Sequence, residues 1–346
     1  LSGLSNVILA LFNFTTMRQS NKILFLTAIC ITLTAGTSFH AQKVQKVAFY
    51  NVENLFDTID GTNDDAEFLP LAKYQWNSQK YFEKLAHIRQ VLLSIGKPMV
   101  VGFSEVENAS VVRDIIKNQK AFKNYGVVHY ESPDARGIDV AMIYDSVKLK
   151  LLQSGKIRFI LPGETKATTR DVLWGQFQFK KTTFYVMLNH WPSRRGGTDE
   201  SDAKRIAAAK VSAHFIDSLN AVVSSKAGMK TTENMIFLGD LNDHPENTAP
   251  KIIEERLIPM ITKESGPTHG THFYDNEWGI LDHIYVSSSL TTGKFHVVPN
   301  SGKIYNFDFL METYKEQVQP KRTFAGSKYL AGYSDHLPVS ISIGLK

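Results

Sequence analysis

Cysteine is almost absent from this chain of 346 residues: there is one, Cys30. That excludes a disulfide framework and any zinc site built on paired thiolates. Long apolar runs are absent too. The most apolar stretch, Ile23 to Ala35, is shorter than the ~20 residues a membrane-spanning helix needs. No repeat period, low-complexity tract or proline-rich interior hinge interrupts the sequence, which excludes solenoids and strings of small modules. An excess of one charge is equally lacking, with 39 Lys and Arg against 34 Asp and Glu and a net charge of +5. Two of those positive charges, Arg18 and Lys22, precede position 42 and no acid does, leaving about +3 for the remainder. So small an excess excludes a nucleic-acid coat, while a phosphate-bearing substrate stays compatible with it.

What is present is an ordinary globular composition, 43% hydrophobic and 21% charged. At the amino end, Met17-Arg18-Gln19-Ser20-Asn21-Lys22 is basic, the apolar run follows, and Ala41 precedes Gln42. Basic region, short apolar core and small residue at the junction predict a signal peptide over 17–41. Residues 1–16 then form an upstream extension. The expected destination is export, periplasmic or secreted, and an uncleaved N-terminal anchor is the alternative. Ile29 before Cys30 speaks against a lipoprotein cleavage box. Residues 42–346 read as one catalytic domain with no cysteine and no transmembrane helix.

Within that domain, strand-like and helix-like segments alternate. Strands are expected at 46–52, 98–106, 137–145, 154–161, 171–180, 182–191, 233–240, 279–287 and 336–343. Helices are expected at 78–95, 110–119 and 201–225. Such a distribution predicts an α/β architecture with helices covering the sheets. Short connections, as between 171–180 and 182–188, make some neighbours antiparallel, so the sheets are mixed.

The informative pattern lies where apolar strands end. Asn51 and Glu53 close the first strand and Glu105 the second; Asn189 and His190 end 182–191; Asp240 and Asn242 end 233–240. Asp282 stands near the start of 279–287, and Asp335 and His336 precede the last strand. One such carboxylate is an Asx-turn or a helix cap. Six such ends imply a shared polar site, because ligands of α/β sheets gather at strand ends. Carboxylates and amides without cysteine are hard oxygen donors suited to Mg2+, with Mn2+ or Ca2+ as alternatives. Imidazoles beside carboxylates can hold charge against a phosphoryl oxygen. The combination points to metal-assisted phosphoester hydrolysis.

The segments "NVEN", "SEVEN", "RGIDVAMIYD", "LNHWPSRRGG", "GDLNDHP", "LDHIYVS" and "YSDHLPV" resemble, in order over about 46–344, the endonuclease/exonuclease/phosphatase superfamily. "TTRDVLWG" and "GTHFYDNEWGILDHIYVS" are similar to a secreted bacterial branch of it. The resemblance implies a four-layer α/β sandwich, two mixed β-sheets packed face to face and flanked by helices. It implies Glu105 as principal metal carboxylate, with Asn51, Glu53 and Asp335 as further ligands and an outer supporting role as the alternative for Glu53. Asp240 would orient or deprotonate the attacking water and Asn242 would bond the phosphate. His336 would face the scissile phosphate with its tautomer fixed by Asp282, and His190 would be the second imidazole, Asn189 competing for the same space. Arg136 matches a phosphate-contacting arginine; Arg170, Arg194, Arg195 and Arg322 match less well. His244, His269, His272 and His283 read as structural or solvated, and Trp191 and Trp278 as packing or base-stacking. "SRRGGTDESD" reads as a loop at the mouth.

The expected activity is therefore phosphodiester cleavage, nucleic acid favoured as substrate. A phosphatase or phospholipase C-type enzyme on inositol phosphates or sphingomyelin is the alternative, and a catalytically silent binding protein the alternative outside enzymes. No stable protein partner is implied.

Overall fold

The computed structural model describes residues 44–61, 65–194 and 197–345. The upstream extension, the signal peptide and Arg195 lie outside the described residues. Among those described, no helix is long and apolar enough to cross a membrane.

Two mixed sheets form the centre. In the first, β1 (Gln45–Leu55) runs parallel to β2 (Val100–Val106). Antiparallel neighbours extend this pair: β4 (Asp139–Asp145) and β3 (Tyr125–His129) beyond β2, and β19 (Val339–Leu345) beyond β1. The short strands β13 (Phe295–Val297) and β14 (Lys303–Ile304) both pair with β19. The second sheet repeats the scheme. There β7 (Thr182–His190) is parallel to β8 (Met235–Asp240). On one side lie β6 (Val172–Phe179) and β5 (Lys150–Ile157), on the other β12 (Asp282–Val286) and β9 (Ile258–Pro259), all antiparallel to their neighbours. Parallel partners point the same way, so each central pair ends at the same edge, and the polar termini of β1, β2, β7 and β8 belong to those edges.

Period-two alternation sorts the second sheet's side chains between two cores. Ile236 and Leu238 of β8, with Val186 and Leu188 of β7, join the cluster shared with the first sheet. Met235, Phe237 and Met187 join the other, formed with α3 (Thr198–Ala227) and α4 (Thr248–Glu254) through Ala208, Ala209, Ile216, Ala249 and Ile253. The outer face of the first sheet is covered by α1 (Ser78–Ile95) and α2 (Ala109–Ile116), burying Leu85, Ile88, Leu92, Val111 and Ile115. Helix, sheet, sheet, helix is the expected four-layer order. The sheets approach closely at Gly102, where a methyl group would lie 2.5 Å from Leu238 Cδ1.

Several expected boundaries shift. The strand expected at 154–161 is β5, Lys150–Ile157, because the bulge near Leu151–Gln153 lets it pair from Lys150 onward. The strands β3 and β13, and the small hairpins β10 (His272–Tyr274) with β11 (Glu277–Gly279), β15 (Met311–Tyr314) with β16 (Gln317–Pro320), and β17 (Phe324–Ala325) with β18 (Lys328–Tyr329), were not expected. Their alternation is too short to read.

Candidate active site

The GD of "GDLND" explains itself first. Gly239 has φ +152°, and a methyl group there would meet Asn189 O of β7 at 2.1 Å. Only glycine lets β8 come so near β7 at this point. Asp240 follows with the parity of Ile236 and Leu238, so its carboxylate turns to the side between the sheets. It is 1% exposed and held from both ends: Oδ1 accepts from Asn242 N at 2.8 Å and Oδ2 from Asn51 Nδ2 at 3.0 Å.

Two imidazoles flank the same oxygen. His190 Nε2 is 3.7 Å and His336 Nε2 3.8 Å from Asp240 Oδ2. His190 Nε2 is also 4.0 Å from Glu105 Oε1, whose other oxygen accepts from Asn54 N at 3.1 Å. His336 Nδ1 bonds Asp282 Oδ2 at 2.8 Å. Asn51, Glu105, His190, Asp240, Asp282 and His336 thus form one connected group, drawn from both sheets. Backbone conformation helps: Glu53, Asn54, Glu105 and Asn242 all have φ between 50° and 62°. Positive φ is uncommon for non-glycine residues and tends to cluster at functional sites.

The two rings differ in charge. Burial alone would depress His336, but Asp282, Asp240 and Asp335 raise it well above the ordinary imidazole range. These carboxylates favour the protonated ring. Burial depresses His190 far below that range, and Arg170, Arg136 and His336 push it further. It is neutral. Asp240 is raised by burial and by Asp282, against His336 and its hydrogen bonds. Asp335 is lowered: burial works upward, but His336, His272 and Arg322 outweigh it.

Not every expected residue joins the group as expected. Asn189 lies on the opposite face of β7 from His190, by strand alternation. Its Oδ1 accepts from Trp191 Nε1 at 3.2 Å and from Ser212 Oγ of α3 at 3.0 Å, so it braces the helix rather than facing a substrate. Arg170 is also committed inward, donating to Asp134 Oδ2 at 2.8 Å and Trp191 O at 2.7 Å. The Asn242 side chain donates to Trp191 O at 3.0 Å, which ties the turn to β7. Glu53 differs most from a shared ligand. Its oxygens accept from Thr323 N at 2.6 Å and Phe324 N at 3.1 Å, so the carboxylate fastens the segment leading to His336. Arg136 is half-buried beside the site and has no carboxylate partner among the described residues.

Asp335 stands at the rim, its Oδ2 2.9 Å from Arg322. His272, read from sequence as structural or solvated, shares that rim. Its ring centroid is 4.7 Å from that of His336, and donor atoms of His272, Asp335 and His336 lie within 4.8 Å of one another. The available signal was its place in a hairpin turned by Asp275-Asn276, both at positive φ. Trp191 is packing: it is 1% exposed and in the core with Phe237.

Two carboxylates, Glu105 and Asp240, surround a neutral imidazole with buried oxygen donors and no sulfur. This set fits a hard divalent cation. Asp240, Asp282 and His336 also have donor atoms within 4.8 Å of one another.

A four-layer α/β sandwich with hard-oxygen donors, a charged His–Asp pair and a second imidazole at one edge defines a metal-dependent phosphoesterase. The family profile described as "Endonuclease/Exonuclease/phosphatase family" matches residues 46–344, and the chain belongs to that family. Curated proteins give no match. Solved structures share the fold. A humanized D. rerio TDP2 is 15% identical with TM-score 0.55, over 87% of this chain and 99% of its own. The human Nocturnin catalytic domain with bound sulfate is 15% identical with TM-score 0.54, over 88% and 96%. A Bacteroides thetaiotaomicron mannosyl-6-phosphatase is 17% identical with TM-score 0.50, over 86% and 99%. The enzyme is a phosphoric ester hydrolase; its family includes both nucleases and phosphatases.

Proposed function

We propose that the protein is a Mg2+-dependent phosphodiesterase, with nucleic acid as the favoured substrate, working as an exported enzyme. The observation supporting this reading is the joint placement of Asp240 between His190 and His336, with Glu105 on the far side of His190. Glu105 would hold the cation, with Asn51 and Asp335 as further oxygen donors. A bound divalent ion would neutralise phosphoryl charge and lower the pKa of coordinated water.

The chain's own groups supply the rest. Asp240, fixed through both oxygens and raised in pKa, orients a water and takes its proton as a new P–O bond forms. His336 carries its charge into the site and donates from Nε2 to a phosphoryl oxygen, while Asp282 holds the other ring nitrogen and stabilises the imidazolium. The P–O bond to the leaving oxygen breaks in line. His190, neutral, is placed to accept a hydrogen bond from the water or the substrate. Arg136 supports the reading as a guanidinium free to fork onto a phosphate oxygen.

A panel of plasmid DNA, abasic duplex, RNA, inositol phosphates, mannose 6-phosphate and sphingomyelin, each with Mg2+, tests it. Cleavage of a nucleic acid at the highest kcat/KM is expected, with no turnover by Glu105→Gln or His336→Ala. A monoester turned over faster than every diester would replace nuclease by phosphatase. Wild-type protein inert toward all of them would end the enzymatic reading of this site.

A further inference from the structure

The hairpin that carries His272 is tied to the catalytic edge more firmly than a surface turn requires. Asp275 and Asn276, at φ 51° and 63°, close it in two residues. Across the pair, His272, Phe273 and Tyr274 stand opposite Gly279, Trp278 and Glu277. At its base, Thr271 O accepts from Leu337 N at 2.7 Å. The buried Thr271 Oγ1 accepts from Leu281 N at 3.1 Å and from Asp282 N at 3.2 Å. The hairpin is thus anchored on the residue after His336 and on the amide of Asp282.

Alternation gives the hairpin two faces. Phe273 and Trp278 take one, with ring centroids 5.4 Å apart and Trp278 packed against the core. His272 and Tyr274 take the other. The His272 centroid is 4.7 Å from that of His336, so this face adjoins the reacting centre. Tyr274 continues it outward, its plane within 20° of His272 and its centroid 6.4 Å further on. Tyr274 is 76% exposed, so a rigidly held strand presents a bare aromatic face to solvent. Three rings lead out of the site in sequence. The charge around the outermost one selects what rests there. Asp275 and Glu277 flank Tyr274, and both are exposed. Two carboxylates disfavour a second phosphate at this point, which leaves the face to an uncharged group.

We infer that His272 and Tyr274 form a stacking subsite for the nucleobase attached to the scissile phosphate. The inference rests on the reading of nucleic acid as substrate and adds how that substrate is held. A base is flat and uncharged, and its sugar joins it directly to the phosphate. Because every base has a π-face, such a platform favours nucleotides over ringless esters without choosing among bases.

Two chromogenic diesters test it in the full chain with Mg2+. Thymidine 5′-(4-nitrophenyl) phosphate and methyl 4-nitrophenyl phosphate share a leaving group, and the first alone carries a base. Wild type should prefer the thymidine ester. The ratio of the two kcat/KM values should fall about tenfold in Tyr274→Ala and in Tyr274→Leu, while Tyr274→Phe keeps it. Using the ratio cancels any loss of folded or active protein. A wild-type ratio near one, or the same ratio in wild type and Tyr274→Ala, overturns the subsite. Calorimetric binding of thymidine 5′-phosphate decides the matter without turnover. Tyr274→Ala should weaken that ligand about tenfold relative to inorganic phosphate. Equal weakening of mannose 6-phosphate would assign the platform to a sugar ring and overturn the nucleobase. If both diesters stay uncleaved while the calorimetric difference holds, the enzymatic reading fails and the subsite stands.

Discussion

Asp240 and Asp282 face each other directly across the antiparallel pair β8 and β12. Like charges in this position repel, by roughly 0.2–1 kcal/mol even on an exposed sheet, and here both are buried. His336 resolves the conflict from the segment leading into β19, bonding Asp282 through Nδ1 and approaching Asp240 through Nε2. The three form a unit in which one positive ring is shared by two carboxylates. Separating them energetically requires changing one at a time.

Asp282→Asn keeps the shape of the unit and removes one charge. His336 then loses the group that does most to hold it protonated. A drop in kcat of about 10²- to 10⁴-fold is expected, by analogy with other Asp–His units. Because the ring now titrates nearer its ordinary value, kcat/KM should decline on the alkaline side at lower pH than in wild type. A pH–rate profile with bis(4-nitrophenyl) phosphate reads both effects; an unchanged alkaline limb would show that Asp282 does not set the charge of His336.

Gly239→Ala tests the close approach of β8 to β7. The added methyl group meets a backbone oxygen, which cannot swing aside as a side chain could. A loss on the order of 3 kcal/mol is expected from the clash and the unfavourable φ. Since Asp240 is the next residue, activity should fall further than stability alone accounts for. Urea melts and kcat on the same preparation check this; a neutral melt would mean that the strands can move apart freely.

His283 gives a pH dependence of stability, with the neighbouring Asp282 among the charges that act on it. It is buried with Nε2 2.9 Å from Asp243 O and Nδ1 3.1 Å from the Tyr285 hydroxyl. The donor–acceptor pattern fits the neutral ring, Nε2–H donating and Nδ1 accepting. Burial lowers its pKa to about 4. An unfolded histidine titrates near 6.5, so between those values the unfolded chain binds the extra proton and stability must fall with acidity. The contribution is complete above about pH 6.5 and fades as pH drops toward 4, up to about 3 kcal/mol in all. His283→Gln should flatten that part of the stability curve in urea melts at pH 4.5 and 7.5. Equal slopes in variant and wild type would contradict it.

Much of this was legible in the chain. Strands ending in Asn51, Glu105, His190 and Asp240 carry their polar residues after apolar runs, and parallel pairing forces such ends together. What could not be read was direction. Asn189 and His190 are adjacent, yet alternation sends them to opposite faces, and one residue of uncertainty in a strand's phase reverses that assignment. Glu53 lies two residues past Asn51, but its positive φ turns its oxygens to amides 270 residues away. No local pattern encodes a contact so distant. His272 escaped because its importance lies in the ring it touches.

Lys84 was equally invisible: in sequence it is one lysine on an amphipathic helix. In the fold it is 0% exposed and donates to Thr323 Oγ1 and to Tyr333 O at 2.6 Å. Glu53 takes the amides of Thr323 and Phe324, so a buried cation and a buried anion grip opposite sides of one backbone segment. The nearby Glu53 charge, with Asp335 and Glu105, offsets the burial that lowers Lys84 to about 8. Removing Lys84 takes a buried cation from the neighbourhood of Glu53, which keeps Arg322 Nε at 3.7 Å, and leaves Tyr333 O without that donor, a loss on the order of 1–3 kcal/mol, whereas replacing both charges is milder. Lys84→Met alone should therefore destabilise strongly, and Lys84→Met/Glu53→Gln should recover a good part of the loss. Activity is expected to follow a different course. The double variant regains stability but not the fixed position of residues 321–336, so kcat stays low while the melt recovers. Full recovery of both would reduce the pair to a stability element; recovery of neither would mean that Lys84 acts through groups other than Glu53.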